Sequence, residues 1–130
     1  MNISKTISEG INILKENEIR NPQLDVEILL SRLIRKDKKY LILNPEEVVS
    51  SERLEIFKNL IERRKKGEPV AYLINEKAFW KNVFYVDKDV LIPRPDTELL
   101  IEKILKIYSN KSQLQILDIG TGSGCIILSL

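Results

Sequence analysis

The chain has 130 residues, of which 43% are hydrophobic and 31% charged, with a net charge of +2. This balance is typical of a globular protein rather than a disordered chain, and the small net charge gives no argument for binding to nucleic acid or to a membrane surface. The sequence contains no histidine, which excludes serine–histidine or cysteine–histidine catalysis and a histidine-built zinc site within this chain.

Helical patterns dominate the N-terminal part of the sequence. The tetrapeptide Thr6 to Glu9 has the spacing of a capping box, and apolar residues around it recur at helical spacing. The pair Asn21-Pro22 predicts a second helix start, with asparagine as the cap and proline in the first turn. The clearest helix is predicted from about Ser51 to Lys66, because Gly67 and a proline shortly after it end the helical pattern.

A β-hairpin is predicted after Pro69. The run "VAYLI" at 70–74 is rich in β-forming residues. The run "AFWKNVFYV" at 78–86 holds two short apolar-aromatic segments around Lys81-Asn82, which is typical of a hairpin. We therefore expect the boundary between a helical N-terminal domain and the start of an α/β domain to lie between Gly67 and Val90.

The last third of the chain predicts the beginning of that α/β domain. Two prolines in "IPRP" at 92–95 predict an extended connection, because they forbid regular helix there. Asp96 is predicted to cap a helix from Thr97 to about Tyr108. After a polar loop, the apolar run Leu114 to Ile119 predicts a strand, and a helix is expected to start near Ser123.

The basic run at 63–66 and the single cysteine are both explained by structural roles. The basic run Arg63 to Lys66 lies at a helix end, where positive charge complements the helix dipole, so we favour a solvated helix terminus over contact with RNA or an acidic partner. Cys125 has no histidine partner and is interpreted as a small buried hydrophobe. As the only cysteine, it excludes an internal disulfide and fits a reducing cytoplasm.

The segment "LDIGTGSG" at 117–124 predicts a ligand-binding loop. Glycines that follow a buried strand let the backbone turn sharply and approach a ligand, and the helix that begins next directs free N–H groups towards it. A dinucleotide fingerprint requires glycine where Cys125 stands, and a P-loop requires lysine after Gly124, so neither ligand class fits. The alternative is a glycine-rich turn without a ligand, which three alternating glycines after an apolar strand disfavour.

Taken with this loop, "LIPRPDTELLIE" at 91–102 resembles the peptide chain release factor glutamine N5-methyltransferases, the family called HemK or PrmC. The resemblance extends to "NPQLDVEILLSRLI", "ERRKKGEPVAYLI" and "FWKNVFYVDKDVLIPRPDTE", and so covers most of the chain. The loop by itself resembles the first motif of class I S-adenosylmethionine methyltransferases in general. One departure is Asn75, which stands where the family usually has glycine, although asparagine tolerates positive φ better than most residues.

The resemblance implies an α+β chain made of an N-terminal helical bundle, a β-hairpin linker and the first strand-loop-helix of a class I, Rossmann-like α/β methyltransferase domain. The expected domains are a helical substrate-docking domain at 1–75, the hairpin linker at 76–92, and the incomplete start of the methyltransferase domain at 93–130. The implied reaction is transfer of a methyl group from S-adenosyl-L-methionine to the glutamine amide of the Gly-Gly-Gln motif in a bacterial-type peptide chain release factor. We expect a cytoplasmic protein that contacts neither a membrane nor nucleic acid directly.

The resemblance also assigns residues to the cofactor site. They are Asp118, Gly120, Thr121, Gly122, Ser123 and Gly124 in the loop, and Pro93, Arg94 and Thr97 in the preceding segment. It assigns no metal ligand and no catalytic residue, because the family's Asn-Pro-Pro-Tyr motif, which holds the target amide, does not occur in this sequence. We therefore expect the 130-residue chain to be inactive alone.

Several interpretations remain open at this point. The chain can be the N-terminal portion of the enzyme, a non-catalytic module that binds release factors, or a nonfunctional remnant. The end at Leu130, inside a nascent helix, favours a piece of a longer protein. An adenine N6-methyltransferase uses the same Asn-Pro-Pro-Tyr chemistry, but the resemblance of the N-terminal segments argues against it.

Overall fold

The structure of the chain, a computed structural model, describes residues 1–111 and 113–130, so that Ser112 in the predicted polar loop lies outside the described residues. The chain divides into two compact units, Met1–Ile74 and Asn75–Leu130, called here the N-terminal unit and the C-terminal unit. The first is helical and the second contains an antiparallel pair of strands, which confirms the α+β fold class. No helix within the described ranges has the length and hydropathy of a membrane span.

Five helices form the N-terminal unit. They are α1 (Ile3–Glu16), α2 (Pro22–Ile34), α3 (Lys38–Leu43), α4 (Ser51–Lys65) and α5 (Val70–Ile74). The C-terminal unit contains β1 (Glu76–Phe79), β2 (Asn82–Tyr85), a 3₁₀ turn (Pro95–Thr97), α6 (Glu98–Ile107) and a second 3₁₀ turn (Ile127–Ser129).

The first helix begins earlier than the capping-box pattern predicts. Asn2 is the cap, since its Oδ1 accepts the Lys5 backbone N–H at 2.9 Å. Thr6 lies inside the helix instead, where its hydroxyl donates to the Asn2 carbonyl at 2.7 Å. An isolated β-bridge between Asn2 and Val48 also fixes the chain at this point. A long-range contact therefore decides which of two suitable residues caps α1.

The core of the N-terminal unit lies between α1, α2 and α4. Its most buried side chains are Ile3, Leu14, Val26, Leu29, Leu30, Phe57 and Ile61. Gly10 of α1 allows close helix approach, because a Cβ atom at this position would stand 3.1 Å from both Phe57 Cζ and Val26 Cγ2. Burial of these aliphatic and aromatic groups is the main stabilising contribution to the unit.

The prediction of β structure for "VAYLI" at 70–74 is wrong, because these residues form α5. The Leu73 N–H donates to the Pro69 carbonyl at 3.2 Å, which closes a helical turn. Leu73 is also buried in the core of the N-terminal unit. The β preference of single residues spans only about 1 kcal/mol, so this packing contact outweighs it.

The basic end of α4 is only partly solvated, because one of its arginines forms a largely buried ion pair. Arg64 Nε donates to Asp25 Oδ2 of α2 at 2.7 Å, and both side chains are largely buried. Arg64 Nη1 also donates to the Glu68 carbonyl at 3.2 Å. Arg63 Nε donates to the Glu68 carboxylate at 2.8 Å, and this hydrogen bond holds the pKa of Glu68 below its ordinary value. The solvated-end interpretation is therefore wrong for Arg64.

A second buried carboxylate, Glu27, links α2 to α3. Gln23 Nε2 donates to Glu27 Oε1 at 2.9 Å, and Lys38 Nζ lies 2.7 Å from Glu27 Oε2. Burial acts to raise the pKa of Glu27, but the hydrogen bonds from Lys38 and Gln23 and the Lys38 charge outweigh it. The pKa of Glu27 therefore lies below its ordinary value of 4.5.

We expect the Glu27→Gln variant to be less acid-sensitive than the native chain. A carboxyl group with a lowered pKa stabilises the fold fully above its ordinary pKa, and this contribution is lost as the pH falls through the lowered value. Urea unfolding between about pH 7 and about pH 3 should therefore give a shallower acid loss for Glu27→Gln. The matched control is Glu55→Gln on the exposed face of α4. Equal acid slopes for native chain and Glu27→Gln contradict this assignment.

The predicted hairpin is present in the C-terminal unit. β1 and β2 pair in antiparallel register, with Glu76 opposite Tyr85 and Phe79 opposite Asn82, so the loop is Trp80-Lys81. Trp80 has a left-handed φ of 54°, and its backbone N–H donates to Glu98 Oε1 at 2.9 Å. The turn thus lies one residue earlier than the aromatic pattern suggests.

Asn75, at the base of the hairpin, has a left-handed φ of 55°. Its Nδ2 donates to the Val86 carbonyl at 3.1 Å. Asparagine thus provides the backbone conformation for which glycine is the usual residue, together with a hydrogen bond that glycine cannot make.

We expect Asn75→Ala to loosen the hairpin more than Asn75→Gly does. Both variants lose the amide contact, but alanine in the left-handed region costs about a further 1 kcal/mol, whereas glycine adopts this backbone without strain. The measurement is hydrogen exchange of the Val86 N–H, which donates to the Asn75 carbonyl at 3.4 Å. Exchange should be about fivefold faster in Asn75→Ala than in Asn75→Gly. Equal rates in the two variants contradict a role for the left-handed backbone.

The end of the chain differs most from the sequence prediction. Residues 113–119 do not form a strand, so the strand predicted from Leu114 to Ile119 is wrong for this structure. A β-strand requires a hydrogen-bonded neighbour, and in the described sheet β1 pairs only with β2. The helix expected near Ser123 is reduced to the 3₁₀ turn at Ile127–Ser129. The predicted helix after Asp96 is present as α6, but without a side-chain cap.

A small second core anchors this terminal segment within the C-terminal unit. It consists of Phe79, Phe84, Ile101 and Cys125. The two phenylalanine rings meet edge to face, with centroids 6.1 Å apart. Cys125 is buried here, as the sequence predicted. Only one stripe of α6 faces this core, so Ile101 is fully buried whereas Leu100 and Tyr108 are 46% and 39% exposed.

Candidate cofactor site

The glycine loop adopts the backbone conformation that its sequence predicts. The φ angles of Gly120, Gly122 and Gly124 are 78°, 58° and 78°, all in the left-handed region that side-chain-bearing residues avoid. The Gly124 N–H donates to the Thr121 carbonyl at 2.9 Å, and the Thr121 hydroxyl donates to the Asp118 carbonyl at 3.1 Å. These two bonds close a compact turn with glycine at every left-handed position.

The space beside each glycine differs. A Cβ atom at Gly120 would meet nothing within 4 Å, and at Gly122 it would meet only the Gly120 carbonyl oxygen at 3.9 Å. A Cβ atom at Gly124 would stand 3.2 Å from Leu128 Cδ1. Gly120 and Gly122 therefore present bare backbone to open space, while Gly124 allows the last turn of the chain to pack closely.

Two buried polar atoms beside the glycines have no partner among the described residues. They are Asp118 Oδ2 and Ser123 Oγ. A buried polar atom without a hydrogen bond is costly and uncommon in native proteins, so each such atom indicates a missing partner. Amino or hydroxyl groups of a ligand could form the missing hydrogen bonds with both atoms. The residues present thus fit a small molecule that carries polar groups and lies close to the backbone of the glycines. S-adenosylmethionine carries both amino and hydroxyl groups.

A cleft of about 580 Å³ runs along the loop within the C-terminal unit. Gly122, Ser123 and Leu128 line one part of it, and Phe84 and Tyr85 of β2 line another. This volume lies within the range of small-molecule sites. The sequence does not predict this hairpin wall, because the aromatic segments of 78–86 indicate a hairpin without indicating which face meets the loop.

The preceding proline segment is placed differently. Pro93 is buried, Thr97 is half-buried and Arg94 is exposed. The Thr97 N–H donates to the Arg94 carbonyl at 3.1 Å, so the segment is held by its own turn. None of the three is among the described residues that line the cleft with Gly122. The structure therefore joins part of the loop to the hairpin and leaves the proline segment apart from it.

Glu98 is a positioning residue that the sequence analysis did not identify. Its carboxylate accepts the Trp80 backbone N–H, which links α6 to the hairpin turn. In the sequence, Glu98 is the last residue of the motif "PDTE". Its position does not reveal this contact, because the helix dipole explains a glutamate in the first turn of a helix equally well.

The chain matches known proteins over its full length. A family model described as the PrmC N-terminal domain matches residues 5–74. The chain is 45% identical over 130 residues to a release factor glutamine methyltransferase of Buchnera aphidicola subsp. Schizaphis graminum, with 100% of this chain and 46% of that protein covered. The protein of the same description from Buchnera aphidicola subsp. Acyrthosiphon pisum is 43% identical over 131 residues, with the same shares covered.

A bifunctional methyltransferase of Rickettsia bellii is 38% identical over 154 residues, with 98% of this chain and 28% of that protein covered. The chain thus spans about half the length, or less, of the curated relatives it matches. The family model covers more than half of the chain, and the resemblance predicted from the sequence motifs is confirmed. The chain belongs to the PrmC N-terminal domain family.

Proposed function

We propose that this chain serves the S-adenosylmethionine-dependent methylation of a glutamine side chain in peptide chain release factors. In this proposal the target is the glutamine of the Gly-Gly-Gln motif, and the reaction takes place in the cytoplasm. The N-terminal unit docks the release factor, and the loop from Asp118 to Gly124 forms part of the cofactor site. The residues that hold the target amide lie outside these 130, so the chain alone does not catalyse the transfer.

The observation that carries the proposal is the geometry of the loop. All three glycines of the loop are left-handed, and Gly120 and Gly122 present bare backbone to open space. Asp118 precedes them, and its buried Oδ2 atom has no partner among the described residues. The names of the relatives support the reaction class, since the two Buchnera proteins are described as release factor glutamine methyltransferases. The family model supports the N-terminal unit separately, because it matches residues 5–74 and ends before the loop.

In this site the chain's own residues bind and orient. Asp118 Oδ2 would accept a hydrogen bond from the ligand's amino group, and the open space beside Gly120 and Gly122 would let the ligand approach the backbone. When bound, S-adenosylmethionine supplies the methyl group. Alignment of that methyl group with the target amide is the main requirement of such a transfer, and a rigid loop supports it.

A chimera tests the proposal. This chain replaces the corresponding segment of the Buchnera relative with 45% identity, and the chimera is incubated with a bacterial release factor and S-adenosylmethionine. Mass spectrometry of the Gly-Gly-Gln peptide should show addition of one methyl group on the glutamine. The chain alone and the remainder of the relative alone are expected to give none.

The matched control is a chimera carrying Asp89→Asn, an exposed carboxylate outside the loop, which should retain full activity. Asp118→Asn is expected to lower the rate by about tenfold or more, because the amide binds a cationic amino group less strongly than a carboxylate does. A folded chimera that leaves the glutamine unmodified contradicts the proposal, as does methylation elsewhere on the release factor.

A further inference from the structure

A groove on the surface of the N-terminal unit contains none of the residues assigned above to the cofactor site. It has a volume of about 1010 Å³ and lies along α2, α3 and α5. Its floor is aliphatic, formed by Leu24, Ile28, Leu33 and Ile74. The charged residues that line it are the cationic Arg32, Arg35, Lys36 and Lys38 and the acidic Glu27 and Asp37. All of these residues belong to the N-terminal unit. We call this feature the basic groove.

A local excess of positive charge lies at and beside the rim of the basic groove. The ten residues 31–40, "SRLIRKDKKY", contain five cationic side chains and one acidic one, although the whole chain has a net charge of only +2. Lys38 is neutralised by Glu27, and Asp37 is used as the cap of α3. The charge offered to a partner therefore comes mainly from the exposed side chains of Arg35 and Lys36.

Arg35 occupies a backbone conformation that its side chain does not favour. Its φ and ψ angles are 58° and 42°, the left-handed position that ends α2 and that glycine or asparagine usually fills. Arginine here costs on the order of 1 kcal/mol relative to glycine. Left-handed residues commonly end helices, and here the residue that ends α2 contributes its guanidinium group to the lining of the groove.

The floor of the basic groove is suited to apolar side chains. Leu24 is 49% exposed, and Ile28 lies one helical turn further along the same face of α2. Ser31, on the same face, has a buried hydroxyl without a hydrogen-bond partner among the described residues. A partner that fits must therefore bring apolar groups to the floor, acidic groups to the rim and one polar group between them.

Nucleic acid fits this surface less well than protein. An aliphatic floor gains nothing from phosphates, and single-stranded bases require exposed aromatic rings for stacking. The ring nearest the rim, Tyr40, is covered by Lys36, whose Nζ lies 4.7 Å from the ring centroid. A small molecule is also disfavoured, because exposed side chains form the rim and leave the groove open to solvent.

We propose that the basic groove docks an acidic amphipathic helix of a partner protein. The apolar face of the helix packs on Leu24 and Ile28, and carboxylates on its flanks pair with Arg35 and Lys36. This is the helix-in-groove mode of recognition, with charge complementarity deciding the orientation and the partner. The proposal does not depend on methyl transfer and stands if the cofactor assignment fails.

The test uses the full 130-residue chain and a designed helical peptide, with leucines at positions i, i+3, i+4 and i+7 and glutamates on both flanks. Fluorescence anisotropy should show saturable binding that weakens with added salt, because exposed ion pairs are screened. The variant Arg35→Glu/Lys36→Glu should weaken binding by at least about tenfold. Leu24→Gln, which alters the floor only, should weaken binding without changing its salt dependence.

The matched control is Arg53→Glu/Lys58→Glu, which makes the same charge change on the exposed face of α4. It should bind the peptide as the native chain does, and a peptide with glutamine in place of each glutamate should bind at least about tenfold more weakly. Equal loss in both double variants overturns the proposal, since it indicates net charge alone. Absence of saturable binding, or tighter binding of a short RNA hairpin that the Arg35→Glu/Lys36→Glu change removes, also overturns it.

Discussion

Replacement of Arg64 by alanine should lower the free energy of unfolding of the N-terminal unit by about 3 kcal/mol. Arg64 is the cationic partner of Asp25, whose residue exposure is only 8%, and the Nε to Oδ2 distance is 2.7 Å. Removal of one member of a buried pair leaves the other charge without compensation, which costs far more than the net value of the pair. Urea unfolding followed by circular dichroism measures the change.

Two comparisons make this prediction specific. Lys65→Ala removes the neighbouring pair with Glu62, which is exposed, and should cost less than about 1 kcal/mol. The double variant Asp25→Leu/Arg64→Met removes both buried charges and should be more stable than Arg64→Ala. If Arg64→Ala and Lys65→Ala cost the same, the pair between α2 and α4 contributes no more than an exposed salt bridge.

Substitution at Gly10 should also destabilise the N-terminal unit, against the usual preference of helices for alanine. Alanine gains about 1 kcal/mol over glycine inside a helix. Its Cβ would, however, stand 3.1 to 3.2 Å from atoms of Phe57 and Val26, which are almost completely buried, so both side chains would have to shift within the core. Overpacking of a filled core costs about 1–3 kcal/mol, so we expect a net loss of about 1 kcal/mol for Gly10→Ala and a larger loss for Gly10→Leu.

Ser8→Ala is the matched control for Gly10, since it changes an exposed residue of the same helix. The Ser8 hydroxyl donates to the Ser4 carbonyl, a contact that adds little to a helix, so the variant should be neutral or slightly more stable. Thermal unfolding of the variants should therefore rank Gly10→Leu below Gly10→Ala, and Gly10→Ala below the native chain. A stabilised Gly10→Ala variant indicates that α1 packs less closely than the structure shows.

The sequence predicted best where local signals and packing agree. Helix α4 begins one residue after its Ser50 cap and ends just before the left-handed Gly67, as the pattern indicates. The hairpin and its left-handed Asn75 were also predictable, because turn chemistry is encoded within a few residues. The three glycines of the loop belong to the same class, since only glycine adopts their φ angles without strain.

The sequence predicted less where distant residues decide the outcome. The cap of α1 depends on the bridge from Asn2 to Val48, and α5 depends on burial of Leu73. The sequence around Arg64 does not indicate its ion-pair partner, because Asp25 lies thirty-nine positions away along the chain. The strand predicted from Leu114 to Ile119 shows the same dependence, since a parallel strand is stable only beside neighbours that supply its hydrogen bonds.

The sequence pattern does not indicate the basic groove, for a related reason. The basic run at Arg63 to Lys66 is contiguous and therefore easily recognised in the sequence. In the structure, at least three of its side chains form ion pairs within the N-terminal unit. The cationic residues around Arg35 are interrupted by apolar residues and an aspartate in the sequence. Their common surface becomes evident only when α2 and α3 are placed together.

The central claim, that the loop from Asp118 to Gly124 holds a cofactor, is tested most directly by calorimetric titration of the Buchnera chimera with S-adenosylmethionine. We predict saturable one-to-one binding, at least about tenfold weaker in Asp118→Asn and in Gly122→Val, with Asp89→Asn unchanged. Gly122→Val is informative because the left-handed φ of 58° is unfavourable for a β-branched residue. Equal affinity in all four proteins contradicts the claim and places the cofactor elsewhere.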